Sequence, residues 1–533
     1  MANKFQDKIY SDLVKVIKMI KEKAKIVLMQ VSGKTDEYWK LYPPLGLGYL
    51  ASYVIKYAKI PRKNIIVVDS NMPDILNIIE AFKPDIIGYS CFSNNYKKTI
   101  SIAKKIRQRV PCALFMIGGV HISLFPQTLH SVFDLGVPRE GEDTFLEIVK
   151  LWSKYKCQQS VLVFSDVRGI IYREKGEIKR TLNRPMISLE KIPPIEWSVF
   201  SKSFFRYEVV KDSNIQSWNV YKVFPLFTSR GCPYNCVFCA RNVLWKRLRY
   251  FSVKRVVKDI KILYEKFGVT AIQIWDDTFT LSIPRLQKLE RELRRQKLLG
   301  KVIFYRVFAR TDLFDQKMAD QLGRMFIKSV VFGLESGSER ILKYLKKNTV
   351  EIKDTYRAIE LCEKKRIGFI ACVMLGISRE TELDMKKTLK LTEYIMGKKT
   401  LEILDLCKAV PFPGTELYEY ALRKKLLPHD YGRVMKHFSL TDGMNSTPML
   451  IKGKKEISIY RKYWRKIKLN EILSRERNQR QKDYRKSIKK MMYLNSQERK
   501  LFIFRMIIRQ LKFGNVNFLA NFFLYKLKKI VRN

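Results

Sequence analysis

The chain is short of cysteine, of acidic residues and of long apolar runs, and each shortage excludes a class of protein. Nine cysteines in 533 residues are too few for a disulfide framework, and six of them stand singly, at Cys91, Cys112, Cys157, Cys362, Cys372 and Cys407. That pattern suits a reducing cytoplasm. The N-terminal stretch mixes charges with apolar residues at helical spacing (Leu13, Val16, Ile17, Ile20) and lacks the unbroken apolar run of a secretory signal. The longest uncharged stretch near the C-terminus, Phe513–Tyr525, falls short of the roughly 20 residues that a membrane-spanning helix needs. The expected location is cytoplasmic, with peripheral contact at the inner face of the membrane left open. Asp and Glu number 51 against 103 Lys and Arg, so the formal net charge is +52. Such a charge bears on partners rather than on fold. Nucleic acid, an anionic membrane and an acidic small substrate are all candidates.

A chain of this length is expected to hold several domains. Within 25–160, Ile26–Val31, Ile65–Asp69, Asp85–Tyr89 and Ala113–Ile117 read as buried parallel strands. Helical patterns lie between them at Leu45–Lys56, Met72–Ala81 and Thr99–Val110. The alternation predicts a doubly wound, Rossmann-like α/β domain, with any ligand outside the carboxyl ends of the strands. Those ends carry Ser90, Gly118, Gly119, His121 and the turn Glu140-Gly-Glu142. Small residues there let a bulky flat ligand approach the backbone, and the same residues also serve ordinary tight turns. Residues 161–220 predict a hairpin around Lys175-Gly176 and a proline-marked linker.

From Val223 the alternation resumes. Strands are predicted at Val223–Thr228, Ala271–Trp275, Val302–Phe308, Ser329–Leu334, Phe369–Leu375 and Glu402–Val410. Helices are predicted at Val253–Phe267, Pro284–Lys297, Gln316–Met325, Ile352–Lys365 and Glu382–Met396. These β/α units over 221–425 predict a partial, six-unit TIM-type barrel, whose active site collects at the C-terminal strand ends. A helical extension, 1–24, precedes the front domain, and a basic helical region, 426–533, follows the barrel.

The run Thr228-Ser-Arg-Gly-Cys-Pro-Tyr-Asn-Cys-Val-Phe-Cys-Ala240 follows the first barrel strand. Its spacing, C-x₃-C-x₂-C, puts Cys232, Cys236 and Cys239 on one loop and supplies no fourth ligand nearby. Thiolates select zinc or iron–sulfur clusters. A structural zinc site closes with four ligands, whereas a cubane cluster on three cysteines leaves one iron open for a substrate. This loop resembles the signature of radical S-adenosylmethionine (SAM) enzymes.

The other motifs extend that resemblance over roughly 25–425. Tyr42-Pro-Pro-Leu-Gly-Leu-Gly-Tyr-Leu-Ala51, Asp85-Ile-Ile-Gly-Tyr-Ser90, Ile117-Gly-Gly-Val-His121 and Glu140-Gly-Glu142 lie before the cysteines. Trp275-Asp-Asp-Thr-Phe279, Phe332-Gly-Leu-Glu-Ser-Gly337 and Pro411-Phe-Pro-Gly414 follow them. Together they resemble the cobalamin-dependent radical SAM enzymes, in the branch that includes the anaerobic magnesium-protoporphyrin ester cyclases.

The resemblance implies a [4Fe–4S] cluster on Cys232, Cys236 and Cys239, SAM in the barrel, and cobalamin on the front domain near Ser90, Gly118, Gly119, His121 and Glu140. No Asp-x-His-x-x-Gly follows the first strand, so it implies cobalamin without a protein histidine on cobalt. Asp276 and Asp277 end the second barrel strand, where a carboxylate can accept from the SAM ammonium. Asp277 is favoured because it faces inward if Trp275 does, and Asp276 is divided evenly between that role and a helix N-cap or solvated pair. Arg310 is expected at the SAM carboxylate, and Glu335 and Ser336 at the ribose or amino group. Gly376 and the turn beginning at Pro411 are expected to shape the adenine pocket, with Arg230 and Phe238 supporting the cluster.

The implied chemistry is cleavage of SAM to a 5′-deoxyadenosyl radical, hydrogen abstraction from an unactivated carbon, and methyl transfer from methylcobalamin. An electron donor such as flavodoxin or ferredoxin is implied, as is a small hydrophobic substrate. Oxidative ring formation is the close rival. A tRNA methylthiotransferase would carry a second cluster on three N-terminal cysteines, and Cys91, Cys112 and Cys157 are too dispersed for that.

From Ile451 to Asn533 the chain holds 25 Lys and Arg against 5 Asp and Glu. Aromatic and aliphatic residues interleave with the basic ones, which suits either an amphipathic helix on an anionic membrane surface or a cap that closes the barrel. Nucleic acid ranks behind both, because no RNA-binding module is recognisable. On the membrane reading, full-length protein floats with anionic liposomes at low salt and a form lacking the tail does not. Equal flotation leaves the tail as a cap.

Overall fold

The computed structural model describes residues 23–32, 42–155, 164–201, 204, 208–212, 217–245, 247–427 and 447–478. The N-terminal extension up to residue 22, Cys157 and the tail from 479 onward lie outside the described residues.

The front domain follows the predicted alternation. Its elements are β1 (Ile26–Gln30), α1 (Leu45–Tyr57), β2 (Ile65–Asp69), α2 (Ile75–Phe82), β3 (Ile86–Ser90), α3 (Tyr96–Arg109) and β4 (Leu114–Gly118). Next come α4 (Val120–Leu124), β5 (Leu135–Val137) and α5 (Glu142–Tyr155). The strands pair in parallel in the order β2-β1-β3-β4-β5. Register aligns Asp69, Gln30, Ser90, Gly118 and Val137 in one row across the carboxyl edge. The predicted hairpin forms, as β6 (Ile171–Glu174) and β7 (Glu177–Arg180). It is not part of a free linker, however, since β6 pairs antiparallel with β5 and extends this sheet to seven strands. A second antiparallel pair, β8 (Glu208–Asp212) and β9 (Ser217–Tyr221), precedes the barrel.

The barrel sheet contains β10 (Val223–Leu226), β13 (Ala271–Ile274), β14 (Ile303–Ala309), β15 (Ser329–Glu335), β16 (Gly368–Leu375) and β17 (Leu401–Lys408). They pair in parallel in that order, six strands in an open arc. A small ladder, β11 (Ser229–Arg230) with β12 (Arg249–Tyr250), flanks the cysteine loop and the short helix α6 (Arg241–Leu244). The outer helices are α7 (Val253–Phe267), α8 (Ile283–Arg295), α9 (Gln316–Arg324), α10 (Glu339–Lys346), α11 (Ile352–Lys365), α12 (Glu382–Met396) and α13 (Glu416–Arg423). Their starts are sequence-encoded: Ser252, Ser282, Asp315, Thr381 and Thr415 each accept a backbone N–H from the first turn.

One apolar core runs through both domains. It joins Leu28, Tyr49 and Val54 of the front domain to Trp197 and Phe200 of the connector and to Ile260, Leu289 and Phe332 of the barrel. Tyr42 goes further and packs with Val223, Ala271 and Ile303 on the barrel strands. The two domains therefore share burial.

An open six-stranded arc leaves β17 as an edge, and unpaired edge N–H groups need acceptors. The helix α14 (Lys454–Asn478) supplies them. Ser474 Oγ accepts from Leu404 N at 3.0 Å and Glu471 Oε2 from Leu406 N at 3.3 Å. Tyr460, Trp464 and Ile467 on this helix are fully buried. For the described part of the basic region, the cap reading holds, and a flotation control has to end after Asn478 rather than before it. No helix among the described residues is long and apolar enough to cross a membrane. Trp464→Ala is expected to lower the unfolding free energy by about 3–5 kcal/mol, read by denaturant titration. A loss below about 1 kcal/mol would mean that α14 is not part of the cooperative fold.

Candidate functional site

The cysteine loop leaves β10 at its carboxyl end and is pinned at once by Asp276, which follows β13. Asp276 is 1% exposed and accepts from Thr228 N (2.6 Å), Thr228 Oγ1 (2.5 Å), Ser229 N (3.0 Å) and Ser229 Oγ (2.7 Å). Burial pushes its carboxyl up, and the four donors pull it back. Neither ligand nor helix cap describes it: Asp276 fastens the start of the loop. Asp277, expected at the SAM ammonium, has both oxygens engaged within the chain. One accepts Gly231 N at 3.1 Å and the other pairs with Arg241, while burial raises its carboxyl to about 6.

The middle of the loop is held from the other side. Val237 N donates to Leu345 O (3.0 Å) at the end of α10, and Val237 O accepts Leu417 N (3.1 Å) from α13. Cys232 and Cys236 lie between these anchors and Cys239 two residues beyond the second, all three as free, half-buried thiols. Burial pushes the Cys239 thiol up, against the pull of Arg241. No three His, Cys, Asp or Glu side chains among the described residues converge on a single ion. A cubane cluster does not ask for that convergence, because each thiolate takes a separate iron corner. Three free thiols on one doubly anchored loop therefore fit a cluster.

Cations ring the loop, each with a carboxylate of its own. Arg310 lies 3.8 Å from Cys236 Sγ, 3.4 Å above the Tyr234 ring, and pairs with Asp312 at 3.0 Å. Lys346 pairs with Glu335 at 2.8 Å and sits over the Phe238 ring at 5.3 Å. Burial alone would depress both cations, and their carboxylates hold them raised. Glu335 closes β15 with φ +58°, a left-handed conformation that costs a bulky residue on the order of 1–3 kcal/mol. The Lys346 ion pair holds its carboxylate there.

Ser336 is less accessible than expected. It has no exposed surface, and its hydroxyl bonds Thr388 Oγ1 and accepts Ser338 N, both at 3.1 Å, so it is a packing contact between β15 and α12. Gly376 ends β16 with φ +87° and donates its N–H to Glu380 Oε2 at 2.9 Å. Pro411 is buried in the turn after β17. Sequence reasoning missed Glu380, whose carboxyl burial raises to about 8, and it missed Lys346. An acidic residue four positions after a strand-end glycine was the available signal for the first.

The front domain meets the loop through a buried ion cluster. Arg230, two positions before Cys232, donates to Glu140 Oε1 (3.0 Å) and Glu142 Oε1 (2.6 Å). Arg249 donates to both Glu140 oxygens, at 2.6 and 2.9 Å, and to Ile187 O at 2.5 Å. Burial raises the Glu140 carboxyl, but Arg249 and Arg230 outweigh it and hold it below its ordinary value. Glu140, expected beside cobalamin, thus works as a domain contact.

At the front strand ends Ser90 and Gly118 are half-buried neighbours in the register row and leave a shelf without bulky side chains. That shelf fits a flat macrocycle. Gly119 has a reason of its own: φ is +95°, and a Cβ would lie 2.8 Å from Cys91 O. Here the tight-turn reading is sufficient. His121 is fully buried, with Nδ1 bonded to Ser93 Oγ and Nε2 to Thr128 Oγ1, both at 3.0 Å, and Tyr96 stacked on it at 3.9 Å. It offers neither a free nitrogen nor a surface to a cofactor. Burial lowers its pKa to about 3 from the ordinary 6.5. A depressed base stabilises the fold above the ordinary value and loses that contribution as pH falls from 6.5 toward 3, at up to about 1.4 kcal/mol per pH unit. Denaturant titrations between pH 7 and 5 should show the native chain losing stability relative to His121→Gln as pH falls, since Glu380 and Asp277 contribute alike to both. Equal slopes would place the histidine in water.

Comparison with known proteins agrees with this architecture. Residues 37–149 match the B12 binding domain and residues 226–392 the radical SAM superfamily. An uncharacterised methyltransferase of Pyrococcus horikoshii is 29% identical over 390 residues, 72% of this chain and 80% of the relative. The anaerobic magnesium-protoporphyrin IX monomethyl ester cyclase of Rubrivivax gelatinosus is 25% identical over 390 residues, 71% of this chain and 66% of the relative. The cobalamin-dependent SAM radical enzyme OxsB, solved with aqua-cobalamin and SAM, shares the fold, with TM-score 0.64 and 18% identity over 92% of this chain and 71% of that one. The three free thiols, the strand-end shelf and these two domains lead to one assignment: the chain is a cobalamin-dependent radical SAM enzyme, with a [4Fe–4S] cluster, SAM and cobalamin as its cofactors.

Proposed function

We propose that the enzyme methylates an unactivated carbon of a small hydrophobic substrate held between the barrel mouth and the front strand ends. The observation that carries this reading is the cysteine loop, fastened to the barrel by Asp276 and to the front domain by Arg230. On this reading Cys232, Cys236 and Cys239 are the cluster ligands. When bound, the cofactors supply reductive cleavage of SAM and a transferable methyl group, chemistry that no side chain provides. The chain's own part is to bind, orient and keep water out. Receiving a carboxylate at Arg310, beside Cys236, would mean exchanging its pairing with Asp312, and Glu335 would accept from an ammonium or hydroxyl alongside Lys346. Gly376 is buried against Tyr460 and Pro448 and offers no open backbone to that rim.

Three aromatics support a hydrophobic substrate. Val307 and Ala309 pack into the core shared with the outer helices, so Phe308 between them points to the other face of β14, where it is 36% exposed. Trp275 and Tyr305 are half-buried around Tyr42 on that face. Methylation is favoured by the methyltransferase of Pyrococcus horikoshii, and ring formation, suggested by the Rubrivivax cyclase, is the second reading.

Anaerobic protein with Cys232, Cys236 and Cys239 all replaced by Ala is expected to hold no iron–sulfur absorbance and to cleave no SAM. Residual 5′-deoxyadenosine would sink the assignment of the loop. Incubating the native enzyme with cell extract and methyl-deuterated SAM should give a product that carries the label by mass spectrometry. A cyclised product without label would select the second reading.

A further inference from the structure

We propose that Arg230 is a positioning residue that fixes the separation of the two cofactor sites, through the fork it makes to Glu140 and Glu142. The inference rests on the reading of the cysteine loop as the cluster site and of the front strand ends as the cobalamin site. The side chains of Arg230, Glu140 and Glu142 are 10%, 8% and 5% exposed. Arg230 lies two residues before the first cysteine. Glu140 lies in the turn after β5, beside the strand-end row, and Glu142 opens α5.

A buried ion pair is weak grounds for stability, because desolvation cancels most of the attraction. The domains already share an apolar core and do not need the pair to stay together. Hydrophobic contact is non-directional, so it tolerates sliding. A planar guanidinium that spans two fixed carboxylates does not. Arg249 locks the same turn by gripping both oxygens of Glu140 and the carbonyl of Ile187. The Tyr49 ring, 5.3 Å from the Arg230 guanidinium, closes the site from α1. Apolar packing thus joins the domains, and the fork sets their register. A methyl group passing from one site to a carbon activated at the other requires that register to be constant.

The test is the distance between two electron spins, measured by pulsed dipolar spectroscopy on full-length protein carrying reduced cluster and cob(II)alamin. The native chain should give one narrow distance distribution. Glu140→Gln with Glu142→Gln, which keeps volume and removes charge, should shift or broaden it at unchanged iron and cobalamin content. Arg230→Lys, which keeps charge and loses the fork, should fall between the two. An unchanged distribution in the fully loaded double variant overturns the proposal. Should the double variant fail to fold or load, Glu142→Gln alone decides by the same criterion. Failure of the native chain to load either cofactor overturns the underlying reading instead, and the positioning role with it.

Discussion

The site depends on placing one guanidinium, that of Arg230, out of water between two carboxylates of another domain. Removing one partner from such an arrangement strands a buried charge, a loss of about 3–5 kcal/mol. The cluster tolerates few geometries, since four charged groups, Arg230, Arg249, Glu140 and Glu142, share donors and acceptors within one small volume. Its position follows from simple topology. The turn after β5 and the loop after β10 both stand at carboxyl strand ends, where parallel sheets present their loops. Packing α1 against the barrel through Tyr49 and Phe251, stacked at 5.9 Å, turns those two edges toward each other.

The strong positive charge of the chain takes a different form around the cysteines than on the surface. Arg241, Arg310 and Lys346 approach the loop, and each is met by an acid of its own, Asp277, Asp312 and Glu335. Paired in this way, a cation holds a fixed direction instead of sweeping through solvent. The field at the thiols is set by geometry and is screened little by salt. Pairs on the outer helices, such as Lys343–Glu339 and Lys365–Asp320, lie in solvent and are screened far more.

Much of the architecture can be read from the sequence, because parallel strands buried on both faces appear as unbroken apolar runs. All six barrel strands and four of the five parallel front strands fall where those runs lie, and the exception, β5, is only three residues long. The hairpin at Lys175-Gly176 was visible, but its partner was not. Tyr172, Arg173 and Lys179 look like linker residues, and only the pairing with β5 shows them as a sheet edge. The site divides the same way. Cys232, Cys236 and Cys239 announce themselves by local spacing. Arg230–Glu142 and Glu335–Lys346 are contacts between elements, spanning 88 and 11 positions, and no periodicity encodes them. The resemblance sets Ser336 and His121 near the cofactors, whereas packing turns both inward, His121 as the contact residue that a lone histidine after Gly-Gly more often is.

Asp276 has a consequence for how the enzyme acquires its metal. Small zinc domains fold only around their ion, so loss of metal is loss of structure. Here the carboxylate secures Thr228 and Ser229 through backbone and hydroxyl alike, and two further backbone bonds hold Val237. The conformational entropy of the loop is largely spent by the polypeptide before any iron arrives. On this reading the polypeptide sets the shape of the loop, and losing the metal need not mean losing the fold.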